Sequence, residues 1–203
     1  MYENDTQYTP LAVLAGVDTG AYDMDASMEE LRELAASAGY ERAGILTQKR
    51  PEPDAATCLG AGRLEELAEF VRNSGADAVI FDHELSPLQI RNLEQQLDRP
   101  VIDRTMLILD IFAQRAVSAE GKLQVELAQL RYQLPRLAGR GVQLSRQGGG
   151  GGGGGGARRG AGESKKEVDR RHIQRRITAL SRQLEELAQR RQRLRERRRK
   201  DGV

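Results

Sequence analysis

The sequence predicts an α/β fold, a small and mostly parallel sheet with flanking helices, followed by a long antiparallel helical hairpin (coiled coil) with a glycine-rich tip. Three observations predict this fold. Short apolar runs alternate with helical patterns through residues 1–104, which is typical of βαβ units. Residues 105–203 lack strand signals and space their apolar residues alternately by four and three. Nine consecutive glycines, Gly148 to Gly156, interrupt that spacing, so we place a loop at about 139–163.

The first half of the α/β domain contains two predicted strands around one helix. The run LAVLAGV (11–17) has the continuous hydrophobicity of a buried strand. Ser27 followed by Glu30 forms a capping box, which predicts a helix that begins there and ends at Gly39. The run AGILTQ (43–48) is the second predicted strand, so these elements form a first βαβ unit.

The second half repeats this alternation. A helix is predicted over RLEELAEFVRNSG (63–75), and the run ADAVIFD (76–82) is the clearest strand signal in the chain. Ser86 and Pro87 are the preferred residue types for an N-cap and a first helical position, so they begin the next helix. RPVIDR (99–104) then predicts a fourth strand, which completes the sheet.

Two apolar stripes predict the two arms of the hairpin. Gly121 is a predicted kink in the first arm, and Arg191 interrupts the second stripe. An arm of about 35 residues would extend roughly 50 Å at the rise of an α-helix. The glycine run therefore forms the predicted tip. The stripe residues are Leu109, Ala113, Ala116, Leu123, Leu127, Leu130, Leu134 and Leu137, then Ile173, Ile177, Leu180, Leu184, Leu187 and Leu194.

Composition narrows the class of protein. The single cysteine, Cys58, excludes an internal disulfide framework, and no segment approaches the roughly 20 apolar residues of a membrane span. No secretory signal pattern is visible, so we expect a cytoplasmic protein. The chain has no G-x-x-x-x-G-K-[ST] phosphate loop, and we assign no catalytic residue and no metal ligand.

Charge is strongly polarised along the chain. Residues 1–138 carry 13 basic and 23 acidic side chains, a net charge of −10, whereas residues 139–203 carry 19 basic and 7 acidic ones, a net charge of +12. A basic end of this size indicates a polyanionic partner. The densest part is QRRQRLRERRRK (189–200), which is either a phosphate-contacting surface or a solvated helix end.

The glycine-rich tip has two interpretations. A backbone without side chains can approach phosphates and bases closely and donate its amides to them, whereas a glycine run elsewhere is often only a flexible linker. The arginines on both sides of the run favour binding. These arginines are Arg140, Arg146, Arg158 and Arg159.

Weaker candidates lie in the α/β domain. Gly60, Gly62 and Arg63 precede or begin a helix, but the third glycine of a dinucleotide fingerprint is absent, so this nucleotide site is a weak prediction. Asp82 and Asp103 follow strands at the edge where such sheets bind ligands, although a loop and a helix cap explain them equally well. These residues define an alternative function, a domain that binds or hydrolyses a nucleotide independently of RNA.

The chain resembles the N-terminal region of the HflX family of ribosome-associated GTPases. The resemblance covers Ala76 to about Ile177 and is carried by VIFDHELSPLQIRNLEQQL, VIDRTMLILDIFAQRAVSAEGKLQVELAQLRYQLPRL, LSRQGGG and GAGESKKEVDRRHIQRRI. It implies an α/β subdomain, 1–104, and a hairpin subdomain, 105–203, whose tip approaches the peptidyl-transferase centre of the large ribosomal subunit. A GTP-binding domain is expected after residue 203.

The resemblance also implies a role and a set of contacts. The parent protein would use GTP and Mg²⁺ to split stalled or stress-damaged ribosomes, and we expect a monomer that binds large-subunit rRNA. The loop is more uniformly glycine than the family pattern, in which bulkier residues interrupt the glycines. With the flanking arginines, the expected rRNA-binding residues are Arg140, Ser145, Arg146, Gln147, Gly148, Gly149, Gly150, Arg158, Arg159, Gly160 and Gly162. A third alternative is a coiled-coil assembly module with no RNA affinity.

Overall fold

A computed structural model describes residues 8–137 and 159–200 of the chain. The chain divides into two units, Met1–Gln114 and Arg115–Val203. Its elements in order are β1 (Leu11–Asp18), α1 (Met24–Ser37), β2 (Glu41–Lys49), α2 (Ala61–Ser74), β3 (Ala78–Phe81), α3 (Pro87–Leu97), β4 (Val101–Asp103), α4 (Arg104–Arg115), α5 (Ala119–Leu137) and α6 (Arg159–Lys200).

The four strands form one parallel sheet, which confirms the predicted α/β architecture. Their order is β2-β1-β3-β4, with Leu14 opposite Ile45 on one side and Ile80 on the other. The chain winds from β1 outward to β2 and then returns to β3 on the other side of β1. The crevice between the carboxyl ends of β1 and β3 is therefore the switch point at which sheets of this kind usually bind ligands.

Strand alternation gives the sheet two apolar faces. Val13, Ala15 and Val17 face one side, and Ala12 and Leu14 face the other, because successive side chains of a strand point in opposite directions. Helices α2 and α3 cover the first face, and α1 and α4 cover the second. Both faces are thus closed, which explains why the central strands β1 and β3 are almost continuously apolar.

Capping side chains mark the starts of α1 and α3, and the predicted start of α1 is corrected. Ser86 caps α3 in a complete capping box with Gln89, as predicted. Helix α1 begins at Met24, three residues before Ser27, because Asp23 is the N-cap and accepts a hydrogen bond from the Ala26 N–H at 3.1 Å. The predicted start at Ser27 is wrong, because the Ser27 hydroxyl is used for a tertiary hydrogen bond and not for capping.

The apolar stripe predicted to begin at Leu109 is also corrected. Helix α4 ends at Arg115, and α5 begins only at Ala119, where the Gly121 N–H donates to Ser118 Oγ at 3.0 Å. The buried residues of α4 are Leu107 and Ile111, which pack in the core of the α/β unit. Spacing alone could not separate these helices, because both are amphipathic and adjacent in sequence.

The second unit contains α5 and α6, which contact each other. Arg176 Nε lies 2.6 Å from Glu126 Oε1, and Arg191 Nη2 lies 2.5 Å from Glu120 Oε1. Within this unit Leu180 is fully buried. The expected glycine-rich tip falls on residues 138–158, outside the described residues, so the complete hairpin with its coiled-coil seam stays a prediction. No helix in the described ranges has both the length and the apolar character needed to cross a bilayer.

Candidate nucleic-acid interface

The weakly predicted nucleotide residues lie at the start of α2, beside the carboxyl end of β2. The Gly60 N–H donates to Gln48 Oε1 at 2.8 Å. The Arg63 guanidinium donates twice to the Thr47 carbonyl oxygen, at 2.9 and 2.6 Å, and once to Glu66 Oε2 at 2.5 Å. The groups that would face a nucleotide at Gly60 and Arg63 are therefore already engaged within the domain.

A buried carboxylate organises the polar groups where β3 ends. Asp82 is 7% exposed. Its Oδ1 accepts a hydrogen bond from Arg104 Nη1 at 2.6 Å, and its Oδ2 accepts one from Ser27 Oγ at 2.7 Å. Arg104 Nη2 also lies 2.6 Å from Glu30 Oε1, and Tyr22 Oη donates to Asp82 Oδ2 at 3.3 Å. This polar network joins α1, β3 and α4 at the switch point of the sheet.

The ionisation of the network follows from its burial and its charges. Burial raises the pKa of Tyr22, and the Asp82 carboxylate adds to that rise. Burial lowers the pKa of His83, whose Nε2 lies 3.4 Å from Tyr22 Oη, while Asp82 opposes the shift. Burial also acts to lower the pKa of Arg104, but hydrogen bonds to Glu30 and Asp82 outweigh it and raise the pKa. Arg104 is therefore a permanent cation that holds two carboxylates.

Sequence reasoning found some residues of this network and missed others. The position of Asp82 after β3 and that of Asp103 at the end of β4 are the signals that the sequence offers. Asp103 caps α4, since its Oδ1 accepts the Met106 N–H at 2.9 Å. Arg104 and Tyr22 were missed, although an arginine directly after a buried strand is a signal, because such a cation needs an acidic partner.

Other features of the α/β unit give no support to a nucleotide or metal site. Gly62 has open space around the position of a Cβ. A shallow cleft of about 670 Å³ lies instead at the amino ends of β1 and β2, between Tyr8, Arg32, Tyr40 and Arg42. Among the described residues, no group of three His, Cys, Asp or Glu side chains is arranged to hold a metal ion.

The predicted rRNA-binding residues flank or precede α6. Arg159, Gly160 and Gly162 lie in the first turn of α6, and their side chains are outside the described part. The other eight are also outside it: Arg140, Ser145, Arg146, Gln147, Gly148, Gly149, Gly150 and Arg158. These eight residues follow α5 and precede α6 along the chain, and the contacts of all eleven predicted residues stay predictions.

Most arginines of α6 face solvent. Arg176 and Arg191 pair with glutamates of α5, and Arg131 of α5 donates to Ser181 Oγ at 3.4 Å. Arg171 and Arg182 form ion pairs with glutamates of α6 itself. The other arginines whose side chains are described are exposed and leave a basic surface along the helix, namely Arg170, Arg175, Arg190, Arg193, Arg195, Arg197, Arg198 and Arg199.

Two family models match the chain one after the other. The GTP-binding GTPase N-terminal family matches residues 25–113, and the GTP-binding GTPase Middle Region family matches residues 115–198. The GTPase HflX of Caldanaerobacter subterraneus subsp. tengcongensis is 53% identical over 192 residues, which are 95% of this chain. The chain belongs to the HflX family. The boundary between the two HflX regions coincides with the division of the structure after Gln114.

A second HflX relative is consistent with this assignment, and a solved structure shares the fold. The GTPase HflX of Escherichia coli (strain K12) is 46% identical over 90% of this chain. The chain spans 44% of the Caldanaerobacter protein and 42% of the E. coli protein, less than half of each. A GTP-binding protein of Sulfolobus solfataricus, solved in complex with GDP, shares the fold with a TM-score of 0.60 and 23% identity, over 88% of this chain and 46% of that one.

Proposed function

We propose that this chain is the ribosome-binding N-terminal part of an HflX-type GTPase, which binds the large ribosomal subunit near the peptidyl-transferase centre and promotes ribosome splitting under stress. The observation that carries the proposal is the match of the two HflX regions to a chain whose second unit combines a glycine-rich segment with a long basic helix. Exposed arginines suit RNA phosphates, and glycine amides suit close approach to phosphates or bases.

The proposed mechanism assigns ribosome binding to this chain and nucleotide chemistry to the remainder of the full-length protein. Helices α5 and α6 form an antiparallel hairpin that carries residues 138–158 into the cavity of the large subunit. There the glycine-rich tip displaces a tRNA end, and occupation of the cavity strains the contacts between the subunits. GTP and Mg²⁺ act in the remainder of the full-length protein and set the affinity of that protein for the ribosome. This chain works in the cytoplasm as a monomer and contributes binding, with no catalytic residue of its own.

The alternative nucleotide-hydrolysing function has less support. Its groups at Gly60, Arg63 and Asp82 are engaged by neighbouring side chains or backbone. Within the described ranges no observation favours it.

The test is co-sedimentation of the chain with purified large ribosomal subunits across a salt series. Replacement of Arg146, Arg158 and Arg159 by alanine removes three cations next to the glycine run. We expect at least a tenfold loss of affinity and a smaller salt dependence, because each phosphate contact contributes about 0.7 to 0.9 to the log-log slope.

A matched control removes the same charge from other surfaces. The variant Arg42→Ala, Arg72→Ala and Arg115→Ala replaces exposed arginines distant in sequence from the glycine run. We expect this control to bind like the parent chain. Unchanged binding by the first variant, or equal losses in both variants, would contradict the proposed role of the tip.

A further inference from the structure

The last turns of α6 are far more basic than the contact between α5 and α6 requires. Residues 190–199, the arginine end, contain seven arginines and one glutamate, and every one of these side chains is exposed. The only ion pair of the arginine end with α5 among the described residues is made by Arg191. In the described part of the chain, no ion pair involves the other six arginines.

The apolar stripe of α6 continues into the arginine end but changes character there. It has apolar residues at 173, 177, 180, 184 and 187, and the same spacing then reaches Arg191, Leu194 and Arg198. Arg191 pairs with Glu120, the second residue of α5, so α5 begins where the stripe becomes basic. Leu194 is 56% exposed. Beyond Arg191 the described part of α5 therefore leaves the stripe uncovered.

The charges of the arginine end repel one another within the helix. Arg191, Arg195 and Arg199 are spaced by four residues, and so are Arg193 and Arg197. Like-charged pairs at this spacing destabilise a helix. The helix macrodipole favours cations only in the last turn and does not account for Arg193 and Arg195. An external anion would relieve this repulsion.

The distribution of the arginines indicates the shape of that anion. At 3.6 residues per turn, Arg193 and Arg197 share one side of the helix, while Arg195 and Arg199 lie on the opposite side. A flat anionic surface would contact only one of these sides. Two phosphate strands that face each other across a groove would contact both, and guanidinium groups bind phosphate through paired hydrogen bonds.

We propose that the arginine end is a second RNA-binding surface, which lies between the two phosphate strands of a double-helical RNA segment. The choice of RNA as the polyanion rests on the proposed function. The site itself does not, because it uses no residue of the glycine-rich segment.

The direct test measures binding of the whole chain to a fluorescent 20-base-pair RNA duplex by anisotropy across a salt series. The test variant is Arg193→Gln, Arg195→Gln and Arg198→Gln. We expect at least a tenfold loss of affinity and a decrease of about 2 to 3 in the log-log salt slope, since each duplex phosphate contact contributes about 0.9. The matched control is Arg42→Gln, Arg72→Gln and Arg115→Gln, which removes equal charge from exposed positions outside α6 and is expected to bind nearly like the parent.

Three further measurements separate the possible outcomes. Circular dichroism of the test variant checks that α6 remains helical. Substitution of the same positions by lysine should restore part of the binding, because lysine keeps the charge but not the paired hydrogen bonds. Tighter binding to phosphatidylserine vesicles than to the duplex would replace RNA by a membrane and overturn the proposal. Equal losses in the test and control variants would also overturn it, because they would show an effect of net charge alone.

The two proposals fail separately. If the variant at Arg146, Arg158 and Arg159 binds large subunits normally while the arginine-end variant does not, the role of the tip is wrong and the second surface stands. If the reverse holds, the arginine end has no part in RNA binding. Losses from both variants that add in free energy would support two independent surfaces.

Discussion

The ion pair between Asp82 and Arg104 is the main buried charge interaction of the α/β unit. The Asp82 side chain is 2% exposed and that of Arg104 is 23% exposed. A buried ion pair of this kind contributes little net free energy, but removal of one partner leaves the other uncompensated. The two residues therefore fix the start of α4 beside the carboxyl end of β3. Their importance lies mainly in the cost of losing either one alone.

We predict that Asp82→Asn destabilises the chain strongly. The substitution keeps the shape of the side chain but leaves Arg104 with only the exposed Glu30 as its acidic partner. We expect a loss of about 2 to 4 kcal/mol in the free energy of unfolding, measured by urea denaturation. The control Glu30→Gln should cost less than about 1 kcal/mol, because the Glu30 side chain is 62% exposed. Equal costs for the two substitutions would contradict the buried role of Asp82.

The role of a single residue is predictable from the sequence when its partners are close to it along the chain. The position of Asp103 at the end of the fourth strand allows either a ligand site or a helix cap, and in the structure Asp103 caps α4. The partnership of Asp82 with Ser27 and Arg104 was not predictable, because it depends on how α1 and α4 lie across the sheet. That geometry is set by tertiary packing, since Ser27 and Arg104 lie 55 and 22 positions away from Asp82 in the sequence.

At the scale of elements, the strands were easier to predict than the helix ends. The central strands β1 and β3 are continuous apolar runs because both faces of the sheet are covered. The start of α3 was predicted correctly, because Ser86 and Pro87 form one unambiguous signal. The start of α1 was not, because Asp23 and Ser27 are both good capping residues and only the tertiary contact of Ser27 decides between them.

Two glycines give an element-scale prediction about α2. A Cβ at Gly44 in β2 would lie 2.4 Å from Cζ of Phe70, whereas a Cβ at Gly62 would meet nothing within 4 Å. We expect Gly44→Ala to cost about 0.5 to 1.5 kcal/mol, because the partly exposed Phe70 ring must leave its present rotamer. Gly62→Ala should stabilise the chain by up to about 1 kcal/mol through helix propensity.

Thermal or urea unfolding of the two variants checks the opposite signs. A stable Gly44→Ala variant would mean that Phe70 adapts without displacing α2. A destabilised Gly62→Ala variant would mean that the first turn of α2 is closed to side chains. Either result would contradict the packing described for β2 and α2.

At the scale of the whole molecule, the position of α4 decides where the first unit ends. The sequence places the boundary at residue 104, because the apolar spacing changes there. Leu107 and Ile111 nevertheless complete the core of the α/β unit, and both the division of the structure and the family matches fall near residue 114. The spacing of apolar residues predicts an amphipathic helix, but it does not show against which surface that helix packs.

We predict that a fragment of residues 1–118 folds cooperatively and that a fragment of residues 1–104 does not. The shorter fragment lacks α4 and leaves α1 as the only helix on the face of the sheet that carries Leu14 and Ile80, so part of that face is exposed. Circular dichroism melting curves of the two fragments test this difference. Cooperative melting of both fragments would place α4 outside the folding unit and support the boundary at residue 104.

The edges of the sheet have a consequence for behaviour at high concentration. One edge is β4, which is only three residues long. The other is β2, which carries Glu41, Arg42 and Lys49 and pairs with β1 across a register shift between Ala12 and Val13. Short strands, charged ends and irregular pairing all hinder addition of a strand from another molecule. Although the sheet has two unpaired edge strands, the α/β unit is therefore protected against edge-to-edge aggregation.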